Sequence, residues 1–225
     1  MPKEVNSSLI VLIPKTQSFN NFRPISLCNV VYKIISKLLV SKLRPLLHNL
    51  VSLYQSAFSP GRWIVENQVI VQELLHSFKT RKVKSGLMAI MLDLQKAYDR
   101  VNWSFLKVVL TRFGLNDTFI NWIMTCISTV SFEVLVNGGK SEQYKLGRGL
   151  RQGDPLFLYL FIIGQEVLLR MLERDMARKK ISGVEASLGG PAIFHVMYAD
   201  DIVLFSKASR KEATSLGECL EKYCS

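Results

Sequence analysis

A chain of 225 residues with 48% hydrophobic side chains can bury a sizeable core, which excludes a disordered or fibrous protein and allows one or two domains. Its 29 Lys and Arg against 18 Asp and Glu leave a net charge of +11, which suits a polyanionic partner, although a lysine-rich solvated surface gives the same total. Leu156 to Gln165 reaches only about half a membrane span, Leu9 to Ile13 is too short for a secretory signal, and four scattered cysteines lack metal-ligand spacing, so a soluble, intracellular protein with reduced thiols and no membrane partner is expected.

Residues 3–27 read as an extended, proline-punctuated lead-in with a strand-like Leu9–Ile13. Residues 29–50 carry Val30, Ile34, Ile35, Leu38, Leu39 and Leu43 at helical spacing, with Lys33, Lys37, Lys42 and Arg44 among them. Pro60-Gly61 marks a turn and 64–80 a second helix. Leu87–Leu92 is an unbroken apolar run ending on Asp93, the pattern of a buried strand. Residues 97–113 predict a helix stopped by Gly114, and Asn116-Asp117 caps another through about Thr129. Phe132–Val136 is a strand closed by the hairpin signal Asn137-Gly138. A glycine-rich loop spans Gly147–Gly153. Asp154 as N-cap and Pro155 at the first position open a helix to about Lys179. Two strands, Ile193–Tyr198 and Ile202–Phe205, flank Ala199-Asp200-Asp201, and a last helix starts near Lys211. The antiparallel hairpin among helices predicts an α+β fold, with helices packed on one face of the sheet and the other face exposed.

The charge excess is uneven: residues 1–92 carry 12 basic and 3 acidic side chains, against 17 and 15 in residues 93–225. That suits a polyanion gripped by one part and processed by the other. Asp200 and Asp201 repel each other at a hairpin tip, with no Lys or Arg between Lys180 and Lys207. A divalent metal would relieve the repulsion, as a solvated turn also would. Asp93 also ends a strand, as a helix cap or as a third carboxylate. If its strand lies beside the hairpin, the three converge and can hold two metal ions for phosphoryl transfer.

Leu92-Asp93-Leu94-Gln95-Lys96-Ala97-Tyr98-Asp99-Arg100-Val101, then Gly149-Leu150-Arg151-Gln152-Gly153-Asp154-Pro155-Leu156, then Tyr198-Ala199-Asp200-Asp201 resemble, in order, the palm motifs of reverse transcriptases. The longer wording resembles the non-LTR (LINE-type) retrotransposon branch. Asn21-Phe22-Arg23-Pro24-Ile25-Ser26-Leu27-Cys28-Asn29 and Gln55-Ser56-Ala57-Phe58-Ser59-Pro60-Gly61-Arg62 resemble its fingers motifs. The resemblance covers residues 9–210. It implies a right-hand polymerase: fingers in 1–86, and in 87–225 a palm with an antiparallel sheet. It implies RNA-templated addition of dNTPs to a DNA primer. Asp93, Asp200 and Asp201 would be catalytic metal ligands for two Mg2+ ions, with Mn2+ as an alternative. Tyr98 would sit under the sugar and exclude a 2′-hydroxyl, or else be a core aromatic. Asp99 is expected at a helix terminus or in an ion pair. Gln152 and Gly153 would contact nucleotide and template. Arg23 and Lys15 would contact the triphosphate, where a guanidinium suits phosphate. Arg62 would contact template or brace its turn. Lys33 and Lys37 would follow the template or form a solvated face.

The resemblance has departures. Phe157-Leu158 stands where family members carry Ser-Pro, adding bulk and removing a hydroxyl and a fixed φ. The chain stops at Ser225 before a thumb, which implies a fingers–palm fragment. The rival reading is a catalytically inactive RNA-binding remnant. A group II intron maturase is a more distant enzyme alternative, and the Phe22–Ser26 and Lys96–Arg100 wording argues against it.

Overall fold

The computed structural model describes residues 1–14, 22–59, 61–80, 86–187 and 189–224. In chain order the elements are β1 (Ser7–Pro14), β2 (Phe22–Cys28), α1 (Val30–Leu43), α2 (Leu47–Leu50), α3 (Ile64–Thr80), β3 (Leu87–Asp93), α4 (Trp103–Arg112), α5 (Asp117–Ser128), β4 (Ser131–Val136), β5 (Gly139–Lys140), α6 (Phe157–Ala177), β6 (Val184–Glu185), β7 (Ala192–Ile193), β8 (His195–Tyr198), β9 (Asp201–Lys207) and α7 (Arg210–Cys224). They build two compact units, each from two stretches of chain: Met1–Leu46 with Lys96–Gly164, and Leu47–Gln95 with Gln165–Ser225. The mixture of helices with antiparallel sheet is the α+β class that the sequence predicts. Among the described residues no helix is long and apolar enough to cross a membrane.

In the first unit β1 pairs antiparallel with β2, from Ser8↔Cys28 to Pro14↔Phe22, and parallel with β4, from Ser7↔Ser131 to Val11↔Leu135. The β4–β5 hairpin turns on Asn137 and Gly138, both at positive φ (50° and 80°), as a two-residue I′ turn requires. Three helices here start on asparagine caps. Asn29 accepts from the Val31 N–H, Asn102 from those of Ser104 and Phe105, and Asn116 from that of Thr118. The Asn102 cap breaks the helix predicted over 97–113. A short 3-10 turn, Ala97–Arg100, comes first, and α4 begins afresh at Trp103.

Helix α1 also departs from its periodicity. Tyr32, Ser36, Leu39 and Leu43 are buried, while Val30, Ile34 and Leu38 are exposed. The cause is a buried carboxylate. Asp154 accepts hydrogen bonds from the Tyr32 and Ser36 hydroxyls, which turns their face inward. An unsatisfied buried charge would cost more than exposing a few apolar side chains.

The second unit holds an antiparallel sheet in the order β3-β9-β8. Leu168, Leu169 and Leu172 of α6 and Leu216 of α7 cover one face, against Ile90, Met197, Ile202 and Leu204. Each fully buried leucine contributes about 1.5–3 kcal/mol. Leu74 of α3 packs with Val196, Val203 and Phe205 at one end of the opposite face. The other end of that face is open. Strand β3 therefore alternates rather than being buried on both sides, with Met91 81% exposed and Asp93 exposed beside it.

Candidate active site

The acidic pair belongs to the second unit. Strand β3 runs against β9 from Leu87↔Lys207 to Asp93↔Asp201, so these two carboxylates stand directly opposite each other. Directly opposed residues share a face, with Cβ atoms about 4.5–5.5 Å apart. Both carboxylates are exposed, on the open end of the sheet. Asp200 precedes Asp201 in the turn that joins β8 to β9. The strands bring all three aspartates to one end of the sheet, across 107 positions of sequence. Neither Asp93 nor Asp201 has an ion-pair partner among the described residues. Among those residues no group of three or more His, Cys, Asp or Glu side chains is placed to hold a metal ion. The donors still fit a hard cation, since Mg2+ is commonly held by one or two carboxylates with water and phosphate completing its shell.

The turn is held under strain. Tyr198 pairs with Asp201, leaving Ala199 and Asp200 as its two loop residues. Ala199 has φ +54°, a region that L-residues with a Cβ avoid. Gln55 Oε1 accepts from the Ala199 N–H (3.1 Å) and from the Ala57 N–H (3.1 Å). Asn67 Nδ2 donates to the Met197 carbonyl at 2.7 Å, and the Met197 N–H donates to the Tyr54 carbonyl at 3.0 Å. Reading the sequence missed both supports, Gln55 and Asn67. Gln55 lies in a stretch with the fingers-motif wording, which was its available signal. Arg62, in the same stretch, donates to the carbonyls of Ser52, Gln55 (2.7 Å) and Val51 (3.2 Å), which braces the loop before it.

The other candidates described lie in the first unit. Tyr98 sits on the 3-10 turn, half-buried, its ring 4.3 Å from that of Phe161 and 5.2 Å, edge-on, from that of Phe157. The turn is tied to the glycine-rich loop, because the Leu150 N–H donates to the Tyr98 carbonyl and the Gly149 N–H to that of Val101. A Cβ on Gly149 would lie 2.8 Å from the Asp99 carbonyl oxygen, so that position requires glycine. Gly153, at φ +107°, is pressed against β2 in the same way, its missing Cβ 2.7 Å from the Ser26 carbonyl oxygen. The close approach there is to protein backbone. Gln152 is half-buried, and its carbonyl accepts from the Ser26 N–H at 2.8 Å. Arg23 is exposed on β2, opposite Ile13. Lys37 is exposed on α1 and Lys33 is half-buried. Lys15 lies outside the described residues. A cavity of about 450 Å3 opens beside the loop, lined by Leu12, Pro24, Trp103, Tyr144 and Gln152 among others.

Comparisons with known proteins bear on the family and the fold. The family model for reverse transcriptase (RNA-dependent DNA polymerase) matches residues 13–225. An uncharacterized 149 kDa protein of transposon TX1 from Xenopus laevis is 28% identical over 99% of the chain and 17% of its own length. The Pol polyprotein of the retrotransposable element R2DM from Drosophila melanogaster is 28% identical over 92% of the chain and 19% of its own length. The chain thus spans about a fifth of these relatives. Among solved structures, apo telomerase from Candida tropicalis, truncated from its C-terminal domain, superposes with a TM-score of 0.64 at 15% identity, over 100% of this chain and 49% of that one. Telomerase from Candida albicans, in complex with a telomeric RNA fragment, gives 0.62 at 16% identity, over 100% and 41%. These two share the fold. With nearly its whole length inside the family model and retrotransposon proteins as its relatives, the chain belongs to the reverse transcriptase family, on the non-LTR side.

Proposed function

We propose that this chain carries the fingers and palm of an RNA-directed DNA polymerase and extends a DNA primer on an RNA template by two-metal-ion phosphoryl transfer, as part of retrotransposition. The observation that carries the reading is Asp93 standing opposite Asp201 at an open sheet end, with Asp200 beside it. Asp93, Asp200 and Asp201 would hold the divalent ions, Mg2+ or Mn2+. Bound there, the ions would supply charge neutralisation for the attacking and leaving oxygens. The chain's own groups would bind and orient the reactants. Arg23 and Lys15 would take the triphosphate, Tyr98 the sugar, and Gln152 and Gly153 the nucleotide and template. Arg62, Lys33 and Lys37 would lie along the template. The functional division into fingers (1–86) and palm (87–225) is part of the same proposal.

The test is primer extension on an RNA template with Mg2+, with Asp200→Asn as the control. Extension by the wild type that the substitution abolishes supports the proposal. A second reading, an RNA-binding remnant, is favoured by Phe157, whose ring occupies space against Tyr98 where the family carries serine. Salt-sensitive RNA binding without extension, with or without Mg2+, would select that reading.

A further inference from the structure

Gln152 and Gly153 lie between two charged residues whose side chains point inward. Arg151 is 6% exposed and Asp154 3%. The guanidinium donates to Ser8 Oγ on β1 at 3.0 Å and to the Cys126 carbonyl on α5 at 3.0 Å. It also lies 3.9 Å from the centre of the Tyr32 ring and 3.4 Å from the Asp154 carboxylate. Asp154 in turn accepts from Tyr32 and Ser36 of α1 and from the Leu156 N–H at 2.9 Å. Three elements thus hold the two ends of a four-residue stretch from inside the unit.

Burying such a pair is a poor route to stability, because desolvation offsets most of the attraction and a packed apolar pair often does as well. What the pair provides is position. Its geometry is over-determined by partners on three elements, acceptors on β1 and α5 and donors on α1, while the Gln152 side chain between them has no hydrogen-bond partner among the described residues. We infer that Arg151, Asp154, Tyr32 and Ser36 form a buried latch that fixes where the Gln152 side chain and the Gly153 backbone are presented to an incoming nucleotide. They are positioning residues, and the inference rests on the polymerase reading for the identity of the ligand. Displacement of a positioning group by about 1 Å can cost ~10²-fold in rate, and because on that reading the template is also held by groups elsewhere such as Lys33 and Lys37, misplacing Gln152 and Gly153 weakens nucleotide binding more than template binding.

Two variants of the whole chain test it. Tyr32→Phe with Ser36→Ala removes two donors from the carboxylate. Arg151→Met with Asp154→Leu replaces the pair by apolar side chains and keeps the interior filled. Amide hydrogen exchange at Gly149 and Leu150 reads the loop directly. Equilibrium binding of an RNA–DNA template–primer, and of a dNTP to that complex, reads function. In both variants exchange at the loop is expected to rise at least about tenfold and dNTP affinity to fall about tenfold, while template–primer affinity stays within about twofold. Unchanged loop exchange in the folded variants overturns the latch. Raised exchange with unchanged dNTP affinity overturns its positioning role. A wild type that binds template–primer but no dNTP overturns the polymerase reading and, with it, the nucleotide role of the latch, while the exchange result still decides whether the loop is held.

Discussion

His195 and the Asp93–Asp201 pair make the sharpest predictions for single residues. His195 is fully buried between the rings of Tyr54 and Phe194, and neither ring nitrogen has a partner among the described residues. Burial pushes its pKa down to about 4. The unfolded chain therefore takes up this proton first as pH falls. The stabilisation from a neutral His195 is complete above about pH 6.5 and is lost progressively toward pH 4, a total of roughly 3 kcal/mol at 1.36 kcal/mol per pKa unit. Burial raises the Glu166 carboxyl in the opposite sense, so the comparison must be made against a variant. Urea unfolding at pH 5 and pH 7.5 should give a smaller difference for His195→Leu than for the wild type. Equal differences would assign the acid sensitivity elsewhere. The opposed Asp93 and Asp201 act the other way on stability. Like charges facing across strands cost about 0.2–1 kcal/mol, so Asp93→Asn should stabilise the metal-free protein by that amount. Mg2+ should raise the urea midpoint of the wild type and leave that of Asp93→Asn nearly unmoved; equal shifts would argue against metal binding at this pair.

The β8–β9 hairpin and the start of α6 are elements whose supports come from elsewhere in the chain. Asn67→Ala removes the donor to the Met197 carbonyl and to Ser56 Oγ (2.7 Å each) beside a strained turn; the carbonyl keeps the Ser56 N–H at 3.3 Å, so the cost is that of two lost hydrogen bonds, about 1–3 kcal/mol. Thermal unfolding measures that loss, and a change of a few tenths would mean that the turn holds itself. At α6, Phe157 packs edge-on to Tyr98, a contact of the kind worth about 0.5–1.5 kcal/mol beyond its buried area. If Tyr98 selects the sugar, Tyr98→Val should admit rNTPs, and Phe157→Ser should move the dNTP-to-rNTP ratio in the same direction by a smaller factor. Competition binding of a dNTP and its rNTP checks both; an unchanged ratio for Tyr98→Val would make the ring packing alone.

At the scale of the whole molecule, the uneven charge decides how nucleic acid would bind. Residues 1–92 carry a net +9. Neutralising even a few RNA phosphates releases counterions, so affinity should fall at least about tenfold between 50 and 200 mM salt. A filter-binding titration across that range would show a flat line if the lysines are only a solvated surface. Arg62 shows why charge alone does not name a template contact, since its guanidinium serves three carbonyls of its own loop.

Local chemistry was legible in the sequence by itself. The Asn116 cap, the Asn137-Gly138 hairpin and the strand–Asp-Asp–strand pattern depend on residues within a few positions of each other, and each formed where predicted. So did the order of motifs that identifies the family. The tertiary structure alone decided which distant strands became neighbours. Asp93 faces Asp201 because β3 pairs with β9, and no local pattern dictates that register. It also decided which face of α1 is buried, since the need of Asp154 for donors outweighed the apolar periodicity of Val30, Ile34 and Leu38. Gln55 and Asn67 escaped notice for the same reason: their partners, Ala199 and Met197, lie 144 and 130 positions away, and hydrogen bonds of that range exist only once the chain has packed.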